Sequence, residues 1–551
     1  MPRTSSVAPP ARLVSDGGVK HLHVHGKRFV VLGGELHNSS SSSRTAIRDA
    51  FDALDGMNLN TVLAPVSWRQ LEPREGEFDF SLVDELVSTA RDKNLHLIPL
   101  WFGTWKNGRS TYIPDWVRSA PERFPRAEIR TGETRDCLTP FATEAAEADA
   151  RAFAALMAHI RDIDAAEGTI VMVQVENEVG ILGDSRDRSA AAEHAYRSSV
   201  PEDILAALHT DAPLRIRESW RSRGEQKAGT WPEMFGDTTD TDEAFMAAAY
   251  ARHVERVAAA GKAHYPLPLF ANAWLYTQLE VADGNPAGGQ EPGIYPSGGP
   301  LPHVGAMWST LAPSLDLLVP DIYFGDFDQI CRDYIGLSGG LLIPEMRRNV
   351  AGVADAFVAL GSHSAIGVSP FGIDTTELPE GEALFDAYGA LAVLAKVTSA
   401  PPIGSFRLHA ELEQQELALG RYTAIARREP NRVGGFHEWG YGLIVQESED
   451  TFLACGRGAE LAFFCEEGRA EIVKVEELRA HESSVEVYRE LNGDETESGS
   501  VVVLPSLEPR PPSDAYHIPS IRRRSGVVRF SLASPPPATA PATESSGWTS
   551  A

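Results

Sequence analysis

Thr169-Ile170-Val171-Met172-Val173-Gln174-Val175-Glu176-Asn177-Glu178-Val179-Gly180 is the stretch on which the fold of this chain turns. Its first seven residues are mostly β-branched and apolar with little alternation, the pattern of a strand buried on both faces of a parallel sheet. A polar cluster at the end of such a strand is costly. Glu176 and Glu178 are two positions apart and share a face on a regular strand. Like charges on one face raise at least one of the two pKa values, and a carboxyl held protonated near neutral pH is what a general acid needs. Taken alone, the pair also reads as two solvated strand-end glutamates, so the flanking sequence has to decide.

Outward from this stretch, apolar strands alternate with amphipathic helices from residue 29 to about residue 397. Strands are expected over 29–37, 59–68, 95–103, 169–175, 266–274, 315–324, 341–348 and 365–372. Helices are expected over 45–56, 80–94, 140–167, 242–263 and 382–396, with Ser43 placed to cap the first. Eight strand–helix units predict a (β/α)8 TIM barrel, not an open doubly wound sheet. No Gly-x-Gly-x-x-Gly follows the first strand and no phosphate-binding lysine motif occurs, which weakens a nucleotide-binding reading. Beyond Pro401-Pro402 the period changes to two over eight short segments from Tyr422 to Leu532, predicting an all-β, sandwich-like module. The expected organisation is a disordered leader over 1–20, a barrel over 21–400, a β-sandwich over 401–533 and a disordered tail over 534–551.

A chain of 551 residues with 43% hydrophobic content can bury more than one core. The formal charge of −27 argues against nucleic acid and against anionic membrane surfaces as partners. No apolar run of about 18 residues occurs and no export signal is read at the N-terminus, so the cytoplasm is the expected compartment. Cys137, Cys331, Cys455 and Cys465 have no metal-ligand spacing and are expected as thiols. Packing or oligomerisation (as a homodimer) is the expected use of the β module.

In a barrel of this kind the chemistry sits at the C-terminal strand ends. Those ends carry Glu35, His37 and Asn38; Trp68 and Glu72; Trp101, Trp105, Lys106 and Asn107; Glu176, Asn177 and Glu178; Asn272 and Trp274; Asp321 and Tyr323; Glu345 and Arg347; and Ser369, Phe371 and Asp374. Aromatic faces suit the C–H surfaces of sugar rings, and amides and a histidine suit hydroxyl groups. No side-chain set has convincing metal spacing and there is no Gly-x-Ser-x-Gly elbow, so no metal or cofactor is expected. Carboxylates from strands four and seven, converging in an aromatic cleft, are the apparatus for cleaving a glycosidic bond.

Gln174-Val175-Glu176-Asn177-Glu178 with Gly180 resembles the acid/base motif of glycoside hydrolase family 35 β-galactosidases. Trp68 to Phe80, with Glu72-Pro73, Gly76 and Phe78, resembles the second-strand region of the same clan. Leu32-Gly33-Gly34-Glu35-Leu36-His37-Asn38-Ser39, Trp101 to Gly108 and Ser369 to Asp374 resemble a bacterial branch that carries a C-terminal β domain. The resemblance implies a retaining mechanism, with Glu178 as acid/base, Glu345 as nucleophile and Asn177 on the sugar 2-hydroxyl. Both Asn177 and Glu178 reach the sugar only if the strand bulges or ends there. Glu176 is then expected to act through its charge on Glu178, and Arg347 to favour the ionised Glu345. The expected sugar contacts are Glu35, His37, Asn38, Trp101, Trp105, Lys106, Asn107, Glu176, Asn177, Trp274 and Tyr323. The chain departs from the animal and fungal branch after strand three, where Trp-Phe-Gly-Thr-Trp stands. Galactose is therefore favoured by family alone, with β-glucoside, β-arabinoside or β-fucoside as alternatives, and a non-catalytic carbohydrate-binding barrel as the rival of another class. A β-galactoside oligosaccharide or glycan is the expected partner.

Overall fold

The computed structural model describes residues 9–276, 289–430, 436–481, 484–507 and 525–534. The chain divides into two compact units, residues 1–388 and 389–551. In the first, eight parallel strands run β1 (Val31–Glu35), β2 (Thr61–Ser67), β3 (His96–Lys106), β4 (Val173–Asn177), β5 (Leu269–Trp274), β6 (Leu317–Asp321), β7 (Leu342–Met346) and β8 (Gly367–Pro370). Their order is β6-β5-β4-β3-β2-β1-β8-β7. A parallel bridge between Ile322 and Met346, with Ile322 N–H donating to the Glu345 carbonyl at 2.9 Å, joins β6 to β7 and closes the barrel. Every residue of β2 and β4 is buried, the apolar run of β2 and the polar Gln174, Glu176 and Asn177 of β4 alike.

Helices α1 (Arg44–Ala53), α2 (Ser81–Asp92) and α3 (Thr143–Asp164) follow the first three strands, and Ser43 caps α1 through the Ala46 N–H. Between β4 and β5 an insertion carries four short helices and then α4 (Thr239–Lys262), which packs along α3. The alanines of α3 and the small residues of α4 let two long helices approach closely. Gly261 marks the tightest point: a Cβ there would lie 2.3 Å from the Phe153 ring.

The N-terminus departs from expectation. Arg12–Asp16 and Val19–Val24 pair as an antiparallel ribbon, with Leu22 and Val24 buried, so the part of the expected leader from residue 12 on is ordered sheet. The alternation of Val19, His21 and His23 with Lys20, Leu22 and Val24 was its signal, masked by the charged and polar residues between. Residues 1–8 and the expected tail from 535 lie outside the described residues.

The second unit contains a six-stranded and a five-stranded antiparallel sheet. Phe406, Leu408, Tyr422, Phe452, Phe463 and Phe530 belong to a common apolar core supplied by both sheets, the arrangement of a sandwich. The period-two reading misses Pro402–Leu408 and Gln414–Leu419, besides the two-residue strand Gly468–Arg469. The first carries Pro and Gly, which are depleted in strands, and the second alternates only weakly. The four cysteines form no disulfide, and no helix among the described residues is long and apolar enough to cross a membrane.

The Gly261 contact gives a direct test of the α3–α4 packing. Gly261→Ala is expected to lower stability by about 1–3 kcal/mol, the usual cost of overpacking, read as a lowered thermal midpoint.

Candidate active site

The end of β4 is where regular strand geometry fails. Glu176 has φ +61° and Glu178 φ +45°, both left-handed and rare for residues with a side chain. Such positions cost of order 1–3 kcal/mol each and persist only where surrounding contacts fix them. The register explains how. From Trp101–Val175 to Lys106–Asn177 the chain takes five residue steps on β3 against two on β4, so Phe102–Trp105 bulge out of the ladder. The bulged backbone wraps the Glu176 carboxyl, which accepts from Thr104 N–H at 3.2 Å and Trp105 N–H at 2.7 Å. Asp149 of α3 accepts from the Trp101 indole at 2.8 Å, the Thr104 N–H at 2.9 Å and the Thr104 hydroxyl at 2.5 Å. Gly103 makes this possible, since a Cβ there would sit 2.3 Å from the Trp101 indole nitrogen and 2.6 Å from a Glu176 oxygen.

Glu176 therefore turns away from Glu178. Burial and then Asp149 hold its carboxyl well above the usual range; burial would raise Asp149 too, but His253, whose Nε2 lies 3.8 Å from the Asp149 carboxyl, and Glu176 keep it low. Of the two acids, Glu176 is the one that favours its protonated form. The expected sugar contact and electrostatic partner of Glu178 is instead a structural acid beneath the barrel mouth. Trp101 and Trp105 are corrected likewise. Both are fully buried; Trp101 packs on Phe153, and Trp105 packs on Tyr250 and His253 and donates to the Leu138 carbonyl at 3.1 Å. A buried indole N–H needs an acceptor, and these find theirs between the sheet and its helices.

Glu178 faces a different set. One oxygen each of Glu178, Asp321 and Glu345 lie within 4.8 Å of one another. Glu345 accepts from the Tyr323 hydroxyl at 2.9 Å, and its other oxygen lies 3.9 Å from Lys106 Nζ. β7 gains one residue against β8 between Ile343 and Met346, a second bulge beside the second glutamate. Burial, then Glu345, push Glu178 up to about 7, against the pull of Lys106 and a hydrogen bond from Asp321. Glu35, fully buried, is held well above its usual range by burial, Glu345 and Glu178. Burial alone would lower Lys106, but Glu345, Glu178, Glu35 and Asp321 together raise it. Arg347, expected to serve Glu345, donates to Asp355 at 2.8 Å instead; the cation beside Glu345 is Lys106.

The remaining positions divide. Both oxygens of Glu35, both polar atoms of the Asn177 amide, and Oδ1 of Asn38 and Asn107 are buried without a hydrogen-bond partner among the described residues. Trp274 is half-buried at the end of β5. His37 is half-buried and committed to β8: its ring meets Thr375 Oγ1 at 2.9 Å and stands edge-on to Phe371. Asp321 and Asn272 stood among the strand-end residues without a role, yet Asn272 accepts from the Glu178 N–H at 3.0 Å and Asp321 brings a carboxyl oxygen within 4.8 Å of one of Glu178. Among the described residues, two sets of three ligand-type side chains come within 4.8 Å, Asp149/Glu176/His253 and Glu178/Asp321/Glu345. Backbone and indole donors already occupy the first, and Lys106 supplies positive charge to the second.

Residues 21–253 match the family model "Glycosyl hydrolases family 35", and residues 388–502 match "Domain of unknown function (DUF5597)". A β-galactosidase of Xanthomonas manihotis is 30% identical over 179 residues, covering 31% of this chain and 26% of that protein. Beta-galactosidase 17 of Arabidopsis thaliana is 26% identical over 188 residues, covering 33% and 25%. The chain thus matches about a quarter of the length of each. Among solved structures, the β-galactosidase of Bacillus circulans sp. alkalophilus superposes with TM-score 0.47 at 13% identity, over 68% of this chain and 58% of that one. That of Marinomonas ef1 gives 0.45 at 14%, over 66% and 60%.

The Glu176–Asp149 pair makes a stability prediction. A carboxyl whose folded pKa is raised stabilises the fold below its unfolded pKa, and that contribution is lost as pH rises through the folded value. Glu176→Gln keeps a donor for Asp149 and an acceptor for Trp105 N–H, so its thermal midpoint should fall less than that of the wild type between neutral and alkaline pH. Glu176→Ala strands two backbone N–H groups and should lose about 1–3 kcal/mol at either pH.

Proposed function

We propose, from the match of residues 21–253 to the glycosyl hydrolases family 35 model, that the protein is a retaining exo-acting β-galactosidase, with Glu178 as acid/base and Glu345 as nucleophile. The observation that carries the reading is the asymmetry of two buried carboxyls in one pocket. Glu178 is poised near neutrality, whereas Glu345 has a tyrosine hydroxyl and a lysine beside it. Their oxygens come within 4.8 Å, close to the carboxyl spacing of about 5–5.5 Å for retention and short of the about 6.5–9.5 Å that inversion needs to seat a water.

In the first displacement the Glu345 carboxylate bonds to the anomeric carbon. The glycosidic C–O bond breaks, and the Glu178 proton passes to the leaving oxygen. In the second, Glu178 takes a proton from water, the water oxygen bonds to the anomeric carbon, and Glu345 departs. The unsatisfied amide of Asn177 suits the sugar 2-hydroxyl. Glu35, Asn38 and Asn107 offer buried polar atoms for other hydroxyls, whose pairing would recover the desolvation those groups bear unbound. Trp274 supplies an apolar face. Galactose follows from the family and from the names of the relatives; aryl β-glycosides differing only in the sugar test it against glucose, arabinose and fucose.

Two measurements check the assignment. Glu178 must be protonated at the outset, so kcat/KM should decline as pH rises through about 7. Glu178→Gln should lose at least about 100-fold on poor leaving groups, in line with the usual yield of acid catalysis, with a much smaller loss of glycosylation rate on activated aryl glycosides. Trapping with a 2-fluoro galactoside should label Glu345; a label on Glu35 or Glu176, or an inverted product without a label, would refute the mechanism.

A further inference from the structure

Asn272 of β5 and Asp321 of β6 close a ring on Glu178. The Glu178 backbone N–H, at its left-handed position, donates to Asn272 Oδ1 at 3.0 Å. That donor fixes which end of the amide is oxygen, so Nδ2 points the other way and donates to Asp321 Oδ2 at 2.7 Å. Asp321 Oδ1 is buried and meets no protein N–H or O–H donor among the described residues, and an oxygen of the Asp321 carboxyl lies within 4.8 Å of one of Glu178 and one of Glu345. Three neighbouring strands thus hold one glutamate by its backbone and by its side chain. Asn272 and Asp321 are 1% and 4% exposed, so neither bond competes with water.

Two facing buried carboxyl oxygens are repulsive unless a proton lies between them. Resting on the reading of Glu178 as acid/base, we propose that Asn272 and Asp321 are its positioning residues, and that Asp321 retains a proton shared with the Glu178 carboxyl. The charged and titratable groups around Asp321 are Glu35 from β1, Lys106 from β3, Glu178 from β4, Glu345 from β7, and Tyr323 and Tyr334. Lys106 is the one cation of this set and stands beside Glu345. Burial, then Glu345, Glu178 and Glu35, hold Asp321 well above the usual carboxyl range, in keeping with the geometry. The consequence is mechanistic. Glu178 surrenders a proton to the leaving oxygen and recovers one from water, while the Asp321 proton is conserved and donates to whichever Glu178 carboxylate is momentarily bare.

The test compares Asp321→Asn with Asp321→Leu in the full chain. Asparagine can accept from Asn272 and donate to Glu178; leucine can do neither. Asp321→Asn should leave the alkaline limb of the kcat/KM–pH profile in place. Asp321→Leu should move it about one pH unit upward, since the ionised Glu178 loses a donor, and cut kcat/KM by roughly 100-fold as the acid loses its orientation. An unmoved limb in both variants, or equal movement in both, overturns the proposal and leaves Asp321 a packing residue. If the leucine variant does not fold, or wild-type protein cleaves no aryl glycoside, infrared difference spectra of wild type against Asp321→Asn decide. One protonated-carboxyl band should be lost near neutral pH, and its absence refutes the shared proton. Leaving-group dependence in Glu178→Gln reports separately on the acid/base reading.

Discussion

The structure depends on the failure of strand alternation at the end of β4. A regular strand would send Glu176 and Glu178 to one face and Asn177 to the other. Two left-handed residues separate them instead, placing Glu176 under the β3 bulge and Glu178 among the groups of the pocket. The strain is offset by bonds that would otherwise be missing: the bulge turns the Thr104 and Trp105 N–H groups out of the ladder, and the Glu176 carboxyl accepts both. Neither irregularity is stable without the other. A second bulge beside Glu345 shows the same device on the opposite side of the barrel.

Charge economy follows from this placement. Four carboxyls, Glu35, Glu178, Asp321 and Glu345, surround one lysine in a water-poor pocket. Full ionisation would leave a large uncompensated negative charge, which a low-dielectric site does not tolerate. Protons must therefore stay on some of the acids. Their distribution is set by position: Glu345 lies beside Lys106 and receives the Tyr323 hydroxyl, whereas Glu35 has neither contact. The glutamates of this pocket are thus distinguished by neighbours, not by residue type.

Much of this was legible in the sequence because barrels put chemistry at strand ends. Apolar runs located all eight strands, and the residues following them supplied Glu35, Lys106, Glu178, Tyr323 and Glu345. What misled was direction. Trp101 and Trp105 sit at a strand end, but within a bulge, where the two-residue period no longer tells which layer a side chain enters. Arg347 shares parity with Glu345, yet the bulge in β7 breaks that parity and Asp355 of the helix Val350–Gly361 captures it. Asn272 and Asp321 were visible as polar residues at β5 and β6. Their role depends on contacts across three strands, which no local pattern encodes.

The end of β4 carries two acid pairs, and comparing them separates structure from chemistry. Asp149–Glu176 is walled in by backbone donors and by the Trp101 and Trp105 indoles, so its proton has no route to a reacting atom. Asp321–Glu178 is buried likewise, but it lies within reach of Glu345, the unsatisfied Asn177 amide and Lys106. The first pair fixes where the backbone of residues 176–178 lies; the second stands on that fixed backbone, and under the proposed mechanism it holds the acid. A single strand end thereby serves both pairs, because two left-handed residues within three positions turn Glu176 and Glu178 to different surroundings.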